Sequence, residues 1–309
     1  MSVYLRYIFG LSTAAVSYLW ASRLHKAMAS LTPLQSVEKI STRVTRILGQ
    51  NPGPFTLQGT NTYLVGHGAE RILIDAGEQN NNAYISELKS VLANEKATIS
   101  SIVVTHWHLD HVGGLKNVID EVIGKPVPIY KIKRDHHNEG IDFNYVDDGF
   151  KVSVDGATLK FIATPGHTAD HSSIWLEEDR ALFSGDCILG EGTSVFECLR
   201  DYMISLKRIL ELEPTVIYPG HGPVVNEARK KVEEYIFHRS KRENDIVEFM
   251  TGAGRVTSMD IVNTVYSTTP PSVRLAARNN VVLHLDKLIK DGRVEQSGIE
   301  YALITPSKQ

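Results

Sequence analysis

A cluster of metal-capable side chains lies in the stretch Thr105-His106-Trp107-His108-Leu109-Asp110-His111. It holds three histidines and one aspartate, between a β-branched run at 101–104 that predicts a buried strand and a glycine pair at 113–114 that predicts a turn. Imidazole nitrogen and carboxylate oxygen are both ligands of divalent zinc. Because side chains alternate along an extended segment, His106 and His108 should point the same way, whereas Asp110 and His111 can turn to another side. One short loop could therefore serve two metals.

Three later stretches repeat this arrangement of a predicted strand that ends in a turn with one metal-capable side chain. They supply His167 in the turn 164–168, Asp186 at the end of the strand that precedes it, and His221 in the turn 218–222. With Asp186 set aside, the chain offers six histidine and aspartate ligands, and catalytic zinc typically takes three protein ligands and a water. The count predicts two Zn2+ ions per chain, with Asp186 left to bridge them.

Two further residues are candidates for roles beside the metals. His171 follows His167 closely and is a candidate catalytic residue, either as a proton donor or as a group that supports a ligand; a purely structural histidine is the alternative. Asp75 ends a predicted strand and could hold a ligand histidine by a hydrogen bond, with a fold-stabilising role as the alternative.

The composition is that of an ordinary soluble globular protein, with 309 residues, 42% apolar and 22% charged. This length allows one large domain, or one large and one small domain. The formal net charge of −3 excludes a globally basic nucleic-acid binder but not a local basic groove. The only two cysteines, Cys187 and Cys198, exclude a disulfide framework and are interpreted as structural.

The order of predicted elements divides the chain into a large body at residues 41–225 and a smaller module at residues 226–309. In the body, strands alternate with helices and several hairpins, a pattern that predicts a mixed α/β (α+β) fold with two mixed sheets and helices outside. The module contains three predicted helices and a hairpin, which indicates a winged-helix-like unit. Its charges are mixed and form no basic stripe, so we favour a structural role over nucleic-acid binding.

Residues 1–40 differ from the rest, because no acidic residue precedes Glu38 while Arg6, Arg23 and Lys26 are basic. This acid-poor, Ser-containing segment is typical of an organelle transit peptide. A secretory signal, a membrane anchor and a disordered tail are the alternatives, and any membrane contact is expected only through residues 1–26. Translation from Met28 would remove the segment and leave the protein in the cytoplasm.

The series of HxHxDH, lone histidine, aspartate and lone histidine resembles the metallo-β-lactamase superfamily. Within it, the chain closely resembles the β-lactamase-like protein 2 family from about Ser41 almost to the C-terminus. The motifs that carry this resemblance are Asn51-Pro52-Gly53-Pro54, Gly59-Thr60-Asn61-Thr62-Tyr63-Leu64-Val65, Thr105-His106-Trp107-His108, Ser184-Gly185-Asp186-Cys187-Ile188-Leu189-Gly190-Glu191-Gly192-Thr193 and Tyr218-Pro219-Gly220-His221-Gly222-Pro223. They are specific for fold and metal site, but one fold hosts many chemistries.

The resemblance implies an αβ/βα sandwich whose helical C-terminal module closes one side of the cleft. It further implies a division of the ligands between two zinc ions: the first is bound by His106, His108 and His167, the second by Asp110, His111 and His221, and both by the bridging Asp186. The implied activity is endonuclease cleavage of single-stranded RNA in the mitochondrial matrix, with no DNA substrate expected. The N-terminal segment departs from the shorter family form, which would start near Met28.

The expected mechanism is metal-assisted hydrolysis. Two zinc ions about 3.5–4 Å apart can share a hydroxide, since zinc lowers the pKa of bound water to about 7. We expect this hydroxide to attack the phosphodiester phosphorus in line with the leaving oxygen. Asp110 would then act as a ligand that orients the hydroxide rather than as a general base.

Other substrates fit the same metals. Hydrolysis of an acyl thioester, as in glyoxalase II-like and acyl-carrier thioesterase relatives, is the main alternative. Hydrolysis of a β-lactam is a weaker one, and the complete ligand set argues against a non-enzymatic protein. A nuclease needs cations for phosphates and aromatic rings for bases. The candidate cations are Lys207, Arg208, Lys230, Lys231, Arg274 and Arg278.

Overall fold

The first sheet contains seven strands in sequence order, in a computed structural model that describes residues 30–134, 140–270 and 274–304. Neighbouring strands are antiparallel from β1 to β4 and parallel from β4 to β7, so the sheet is mixed. The strands are β1 Val37–Lys39, β2 Val44–Leu48, β3 Asn61–Val65, β4 Glu70–Ile74, β5 Thr98–Val103, β6 Ile129–Ile132 and β7 Asn144–Val146.

The second sheet has five strands in the order β12-β11-β10-β9-β8. All its pairings are antiparallel except that of β11 with β12, which is parallel because a helix connects them. The strands are β8 Lys151–Val154, β9 Ala157–Ala163, β10 Ser172–Leu176, β11 Ala181–Gly185 and β12 Val216–Pro219.

The helices complete a four-layer sandwich. They are α1 Asn82–Glu95, α2 Leu109–Val112, α3 Leu115–Asn117, α4 Leu199–Leu212, α5 Ala228–Ala253, α6 Ser258–Val265 and α7 Arg274–Lys290, with a π-helical stretch at Val118–Ile123. The apolar face of α1 is buried against the first sheet, and that of α4 against the second. A third apolar core lies between the sheets. The predicted αβ/βα sandwich of two mixed sheets is confirmed.

Aromatic side chains fill the part of the inter-sheet core that lies nearest to the metal-ligand loops. Tyr63 of β3 packs against Phe183 of β11 and Tyr218 of β12, with ring centroids 5.0 and 5.9 Å apart. Buried tyrosines need a partner for the hydroxyl, and Tyr63 donates a 2.7 Å hydrogen bond to the carbonyl of Pro219. The core therefore also anchors the turn that carries His221.

The C-terminal module has an apolar core of its own, built from α5, α6, α7 and a three-stranded sheet. The strands of that sheet are β13 Val256–Thr257, β14 Val294–Ser297 and β15 Glu300–Leu303. Helix α6 begins at a capping box, in which Thr257 and Asp260 satisfy each other's backbone N–H groups. The predicted winged-helix character of the module is confirmed, and β13 adds a strand to the predicted hairpin.

The structure departs from the sequence-based expectations in two places. Strand β1 lies in the segment 1–40, for which targeting or anchoring was predicted, and pairs with β2. Asp110 and His111 belong to α2 rather than to a loop, because the chain turns into a helix directly after His108.

The N-terminal residues 1–29, which hold most of the predicted transit segment and Met28, lie outside the described residues. Within the described ranges, no helix combines the length and apolar character needed to cross a membrane. The predicted localisation is therefore carried by the sequence alone.

Candidate metal centre

The seven predicted ligands come together where strands of both sheets end. Strands β5, β9, β11 and β12 lead into the turns that carry His106, His167, Asp186 and His221. The ligand atoms form two groups, each with its members within 4.8 Å of one another. The first group is His106, His108, His167 and Asp186, and the second is Asp110, His111 and His221. This is the division that the resemblance implied.

The first group converges on Nδ1 of His108. This atom lies 2.9 Å from Nε2 of His106 and 3.1 Å from Nε2 of His167, while Oδ2 of Asp186 lies 3.9 and 3.6 Å from those two Nε2 atoms. Two ligands that bind one tetrahedral zinc at about 2.0–2.1 Å lie about 3.3 Å from each other. The spacing of the first group therefore fits a single metal ion.

The second group is equally tight, and Asp186 reaches it as well. Oδ2 of Asp110 lies 3.2 Å from Nε2 of His111 and 3.3 Å from Nε2 of His221. Oδ1 of Asp186 lies 3.5 Å from Nε2 of His111, and its Oδ2 lies 3.3 Å from Nε2 of His221. The carboxylate of Asp186 thus touches both groups, as a bridging ligand must.

Two unsatisfied atoms and the local electrostatics show that the donor set fits metal ions. His111 Nε2 and Asp186 Oδ1 are buried without a hydrogen-bond partner, although buried polar atoms are normally paired. Burial alone would lower the pKa of His221, yet Asp186 and Asp110 raise it to about 9. Burial alone would raise the pKa of Asp186, yet His221 and His111 hold it well below its usual value. The carboxylates therefore stabilise positive charge at this point.

Asp75 fixes the orientation of His111. Its Oδ2 lies 2.7 Å from Nδ1 of His111, and its two oxygens accept 2.8 Å hydrogen bonds from the backbone N–H and hydroxyl of Thr105. With Nδ1–H donated to Asp75, the lone pair on Nε2 of His111 is free for a metal. The predicted supporting role of Asp75 fits these contacts.

His167 is oriented by a loop that the sequence did not mark as functional. Its Nδ1 donates a 2.8 Å hydrogen bond to the carbonyl of Val195, which leaves Nε2 for the metal. The neighbouring Ser194 hydroxyl bonds to the carbonyl of Asp186. The same hydroxyl lies 3.3 Å from Nδ1 of His167, but the shorter contact to this ring is made by a backbone carbonyl, which no residue type signals.

The motif 59–65 supplies further support for the second group. Thr60 donates a 2.9 Å hydrogen bond to Oδ2 of Asp110, and Asn51 holds Thr60 through two hydrogen bonds of 2.8 and 3.0 Å. Asn61 bonds the carbonyls of Pro219 and Gly222 on both sides of His221. These residues belong to the motifs that carry the family resemblance, and their physical function is to hold Asp110 and the turn of His221 in place.

Gly220 is required by its closeness to the bridging carboxylate. A Cβ atom at this position would lie 2.3 Å from Oδ1 of Asp186 and 3.0 Å from the carbonyl group of Gly185. Any side chain would therefore displace Asp186 or the turn itself.

His171 lies behind the metal ligands and does not line the cleft. Its Nε2 accepts a 3.1 Å hydrogen bond from the backbone N–H of Asp186, and its Nδ1 lies 2.9 Å from the hydroxyl of Thr164. Burial, reinforced by the neighbouring histidines, holds the pKa of His171 well below its ordinary value. Of the two predicted roles, the geometry fits support of Asp186, and we assign no proton transfer to this residue.

An open cleft of about 620 Å3 lies above the ligands. Its walls are mainly apolar, and Phe55 and Leu109 at its edge are 80% and 70% exposed. Within the described residues, no lysine or arginine lines this cleft. The predicted candidate cations lie elsewhere, and Arg208, for example, pairs with Asp148 at 2.8 Å.

Comparison with known proteins gives matches along most of the chain. Residues 55–221 match the metallo-beta-lactamase superfamily, and residues 257–301 match the beta-lactamase associated winged helix domain. A Beta-lactamase-like protein 2 homolog from Caenorhabditis elegans is 62% identical over 88% of this chain and 93% of its own length. The homolog from Drosophila melanogaster is 43% identical over 85% of this chain and 94% of its own length.

Proteins with lower sequence identity also match over most of this chain. The Atrochrysone carboxyl ACP thioesterase of Aspergillus fumigatus is 36% identical over 88% of this chain and 88% of its own length. The crystal structure of a beta-lactamase domain protein from Burkholderia ambifaria aligns with a TM-score of 0.74 at 18% identity, over 89% of this chain and 96% of that one. At this identity, the structural match shows a shared fold and nothing about function.

Replacement of Asp75 by asparagine tests the support of His111. Asp75→Asn removes the charge that holds the His111 ring. Substitution of a residue that hydrogen-bonds a metal ligand typically lowers metal affinity about 10–100-fold. We expect this loss for the second group, measured by competition with a chelator. Asp120→Asn, which changes an exposed ion pair with Lys116, serves as the control. Equal metal retention by the two variants would contradict the role given to Asp75.

Proposed function

The chain belongs to the metallo-β-lactamase superfamily, and we propose that it is a metal-dependent endoribonuclease that cleaves single-stranded RNA, with no activity on DNA. The observation that carries the hydrolytic part is the pair of ligand groups joined by Asp186 at the floor of an open cleft. The choice of RNA rests on what the resemblance to the β-lactamase-like protein 2 family implies, and a relative of that name is 62% identical to this chain.

We propose zinc as the metal and two ions per chain. His106, His108 and His167 would hold one ion, Asp110, His111 and His221 the other, and Asp186 both. A bound pair of such ions supplies a water that is acidic enough to ionise near neutral pH and offsets negative charge on the reacting phosphate. Mixed imidazole and carboxylate ligands suit zinc among the common divalent ions.

Asp110 positions the attacking water in this proposal. Burial alone would raise its pKa, but His111 and His221 hold the pKa far below its usual value, so the carboxylate stays ionised. An ionised carboxylate of such low basicity accepts hydrogen bonds and orients a water without taking its proton. Thr60 fixes one of its oxygens, and 19% of the side chain remains exposed to the cleft.

The walls of the cleft support a single-stranded substrate. Proteins bind unpaired nucleic acid by stacking bases on aromatic rings and following the backbone with cationic groups. Phe55 stands at the edge with its ring exposed, and Trp107 also lines the cleft, with the Cζ of Arg134 4.3 Å from its ring centroid. An unpaired strand can present its bases to these rings, whereas the bases of a duplex are stacked inside.

A thioester is the second candidate substrate. It is favoured by the apolar lining of the cleft, which holds no lysine or arginine among the described residues and would suit an acyl chain. A relative named as an ACP thioesterase shares 36% of its residues with this chain. The ligand groups themselves do not distinguish an acyl carbon from a phosphorus.

We propose the mitochondrial matrix as the site of action, on the strength of the basic, acid-poor segment before Glu38. If this holds, isolated mitochondria should import and protect the full chain but not a chain that starts at Met28. Import of both forms, or of neither, would contradict a targeting role for residues 1–27.

The two-metal site predicts a defined stoichiometry. Purified protein should contain close to two zinc ions per chain by elemental analysis, and Asp186→Ala should lose metal and activity together, because this carboxylate contacts both groups. Asp120→Ala removes an exposed carboxylate and should leave both unchanged. Full activity with one zinc per chain would exclude the binuclear arrangement.

A substrate panel separates the two candidate functions. The metal-loaded protein is incubated with single-stranded RNA, duplex RNA, single-stranded DNA and acyl thioesters, with Asp186→Ala as the blank. We expect internal cleavage of single-stranded RNA, since only unpaired bases can reach the rings in the cleft. Hydrolysis of thioesters with RNA untouched would reverse the ranking of the two functions.

A further inference from the structure

A second groove adjoins the metal cleft and receives no role in the function proposed above. It has a volume of about 480 Å3 and lies between α5, the turn that follows α6, and α7. Thr193 lines both this groove and the metal cleft, so the two cavities share a wall.

The two cavities differ in charge. The second groove is lined by His238, Arg239 and Arg242, and no aspartate or glutamate is among the described residues that line it. The metal cleft is lined by Asp110, Asp186 and Glu191, with no lysine or arginine among its described lining residues. A substrate with apolar rings and several negative charges would find complementary surfaces in both cavities.

The two arginines are held in place and retain free donors. The Arg242 guanidinium stacks on Tyr266 at 4.1 Å and donates one 3.1 Å hydrogen bond to the carbonyl of Val265. The Arg239 guanidinium lies 4.8 Å from the Phe196 ring centroid and donates one 2.8 Å hydrogen bond to the carbonyl of Ser194. Each guanidinium carries five N–H donors, and the buried Nε of Arg239 has no hydrogen-bond partner.

The acidic groups near the groove pair only weakly with its cations. Asp245 lies 3.6 Å from Arg242 and also pairs with Lys241, and Glu234 lies 3.7 Å from His238. Exposed ion pairs of this kind contribute little and do not remove the field of two arginines. The groove therefore keeps a net positive charge.

We propose that this groove binds a phosphate of the RNA backbone outside the scissile bond. The proposal rests on the proposed endoribonuclease function and adds a subsite to it. Guanidinium groups bind phosphate through paired N–H donors, and a rigid, stacked arginine loses less conformational freedom when it does so. The apolar cleft would then hold bases, while the groove of the C-terminal module holds backbone charge.

Arg239 connects this subsite to the metals. Its bond to Ser194 fixes the loop whose next residue, Val195, accepts the hydrogen bond from Nδ1 of His167. A phosphate bound at Arg239 would thus be connected to the first ligand group through the loop that contains Ser194 and Val195. This closeness makes the groove a subsite of the cleft rather than a remote surface.

The test compares Arg242→Gln with Arg229→Gln in the metal-loaded full chain. Arg229 lies on the same helix, is exposed and does not line the groove, so Arg229→Gln removes one positive charge from α5 outside the groove. For a single-stranded RNA of about ten nucleotides, Arg242→Gln should raise KM about tenfold, the usual effect of losing a hydrogen bond to a charged group. It should also lower the slope of log KM against log salt concentration by about one, because one contact to a phosphate is lost.

Several measurements keep the result interpretable. Arg242→Lys should recover part of the loss because it retains the charge, and His238→Gln, an exposed position, gives a second variant that does not disturb packing. Metal content and kcat should match the wild type. Equal KM values for Arg242→Gln and Arg229→Gln on RNA that the wild type cleaves would overturn the subsite and leave the endoribonuclease function intact.

Two further outcomes would also decide against the proposal. If Arg242→Gln impaired hydrolysis of an acyl-carrier thioester but not of RNA, the groove would serve a different phosphate and the RNA subsite would be overturned. If the wild type cleaved no RNA at all, the proposed function would fail, and the subsite with it.

Discussion

The structure depends on bringing five imidazole rings and two carboxylates into mutual contact at one edge of the sandwich. Most of these groups are buried, where like charges repel and isolated charges are costly. The protein meets this constraint by arranging the histidines and carboxylates in two groups, each of which could hold a metal ion. Asp186 lies between the two groups. The surrounding hydrogen bonds of Asp75, Thr60 and His171 hold the rings and carboxylates in these orientations. The turns that present the ligands are in turn fixed by the inter-sheet core.

This arrangement leaves the identity of the substrate to other parts of the molecule. The metal ligands determine that a water can be activated and that negative charge can be stabilised, and they would serve an ester of carbon or of phosphorus equally. In the functions proposed above, the discrimination comes from the apolar walls around Phe55 and Trp107 and from the positive groove beside Thr193. These surfaces belong to different parts of the chain, since the cleft is lined by residues of the body and the groove is formed largely by the C-terminal module.

Much of this could be predicted from the sequence, because the ligands are side chains of distinctive type in turns that follow β-branched runs. The position of β1 could not, since three residues at the edge of a sheet carry no clear periodicity. The helical placement of Asp110 and His111 was hidden because their helix is a single turn. The support of His167 by Val195 and the bond from Arg239 to Ser194 involve backbone carbonyls, which every residue possesses. Such contacts between distant segments become visible only when the chain is folded.

Helix α5 has a consequence for how the molecule can be divided. Its 26 residues extend about 39 Å. The first part buries Val232 and Tyr235 in the core beside the second sheet, and the last part buries Ile246 and Met250 in the core of the winged-helix module. Tyr235 also bonds to Leu189 and Gly192 next to the cleft. A chimaera in which the winged-helix module is exchanged must therefore be joined within this helix and in register with it, because no flexible linker separates the two cores.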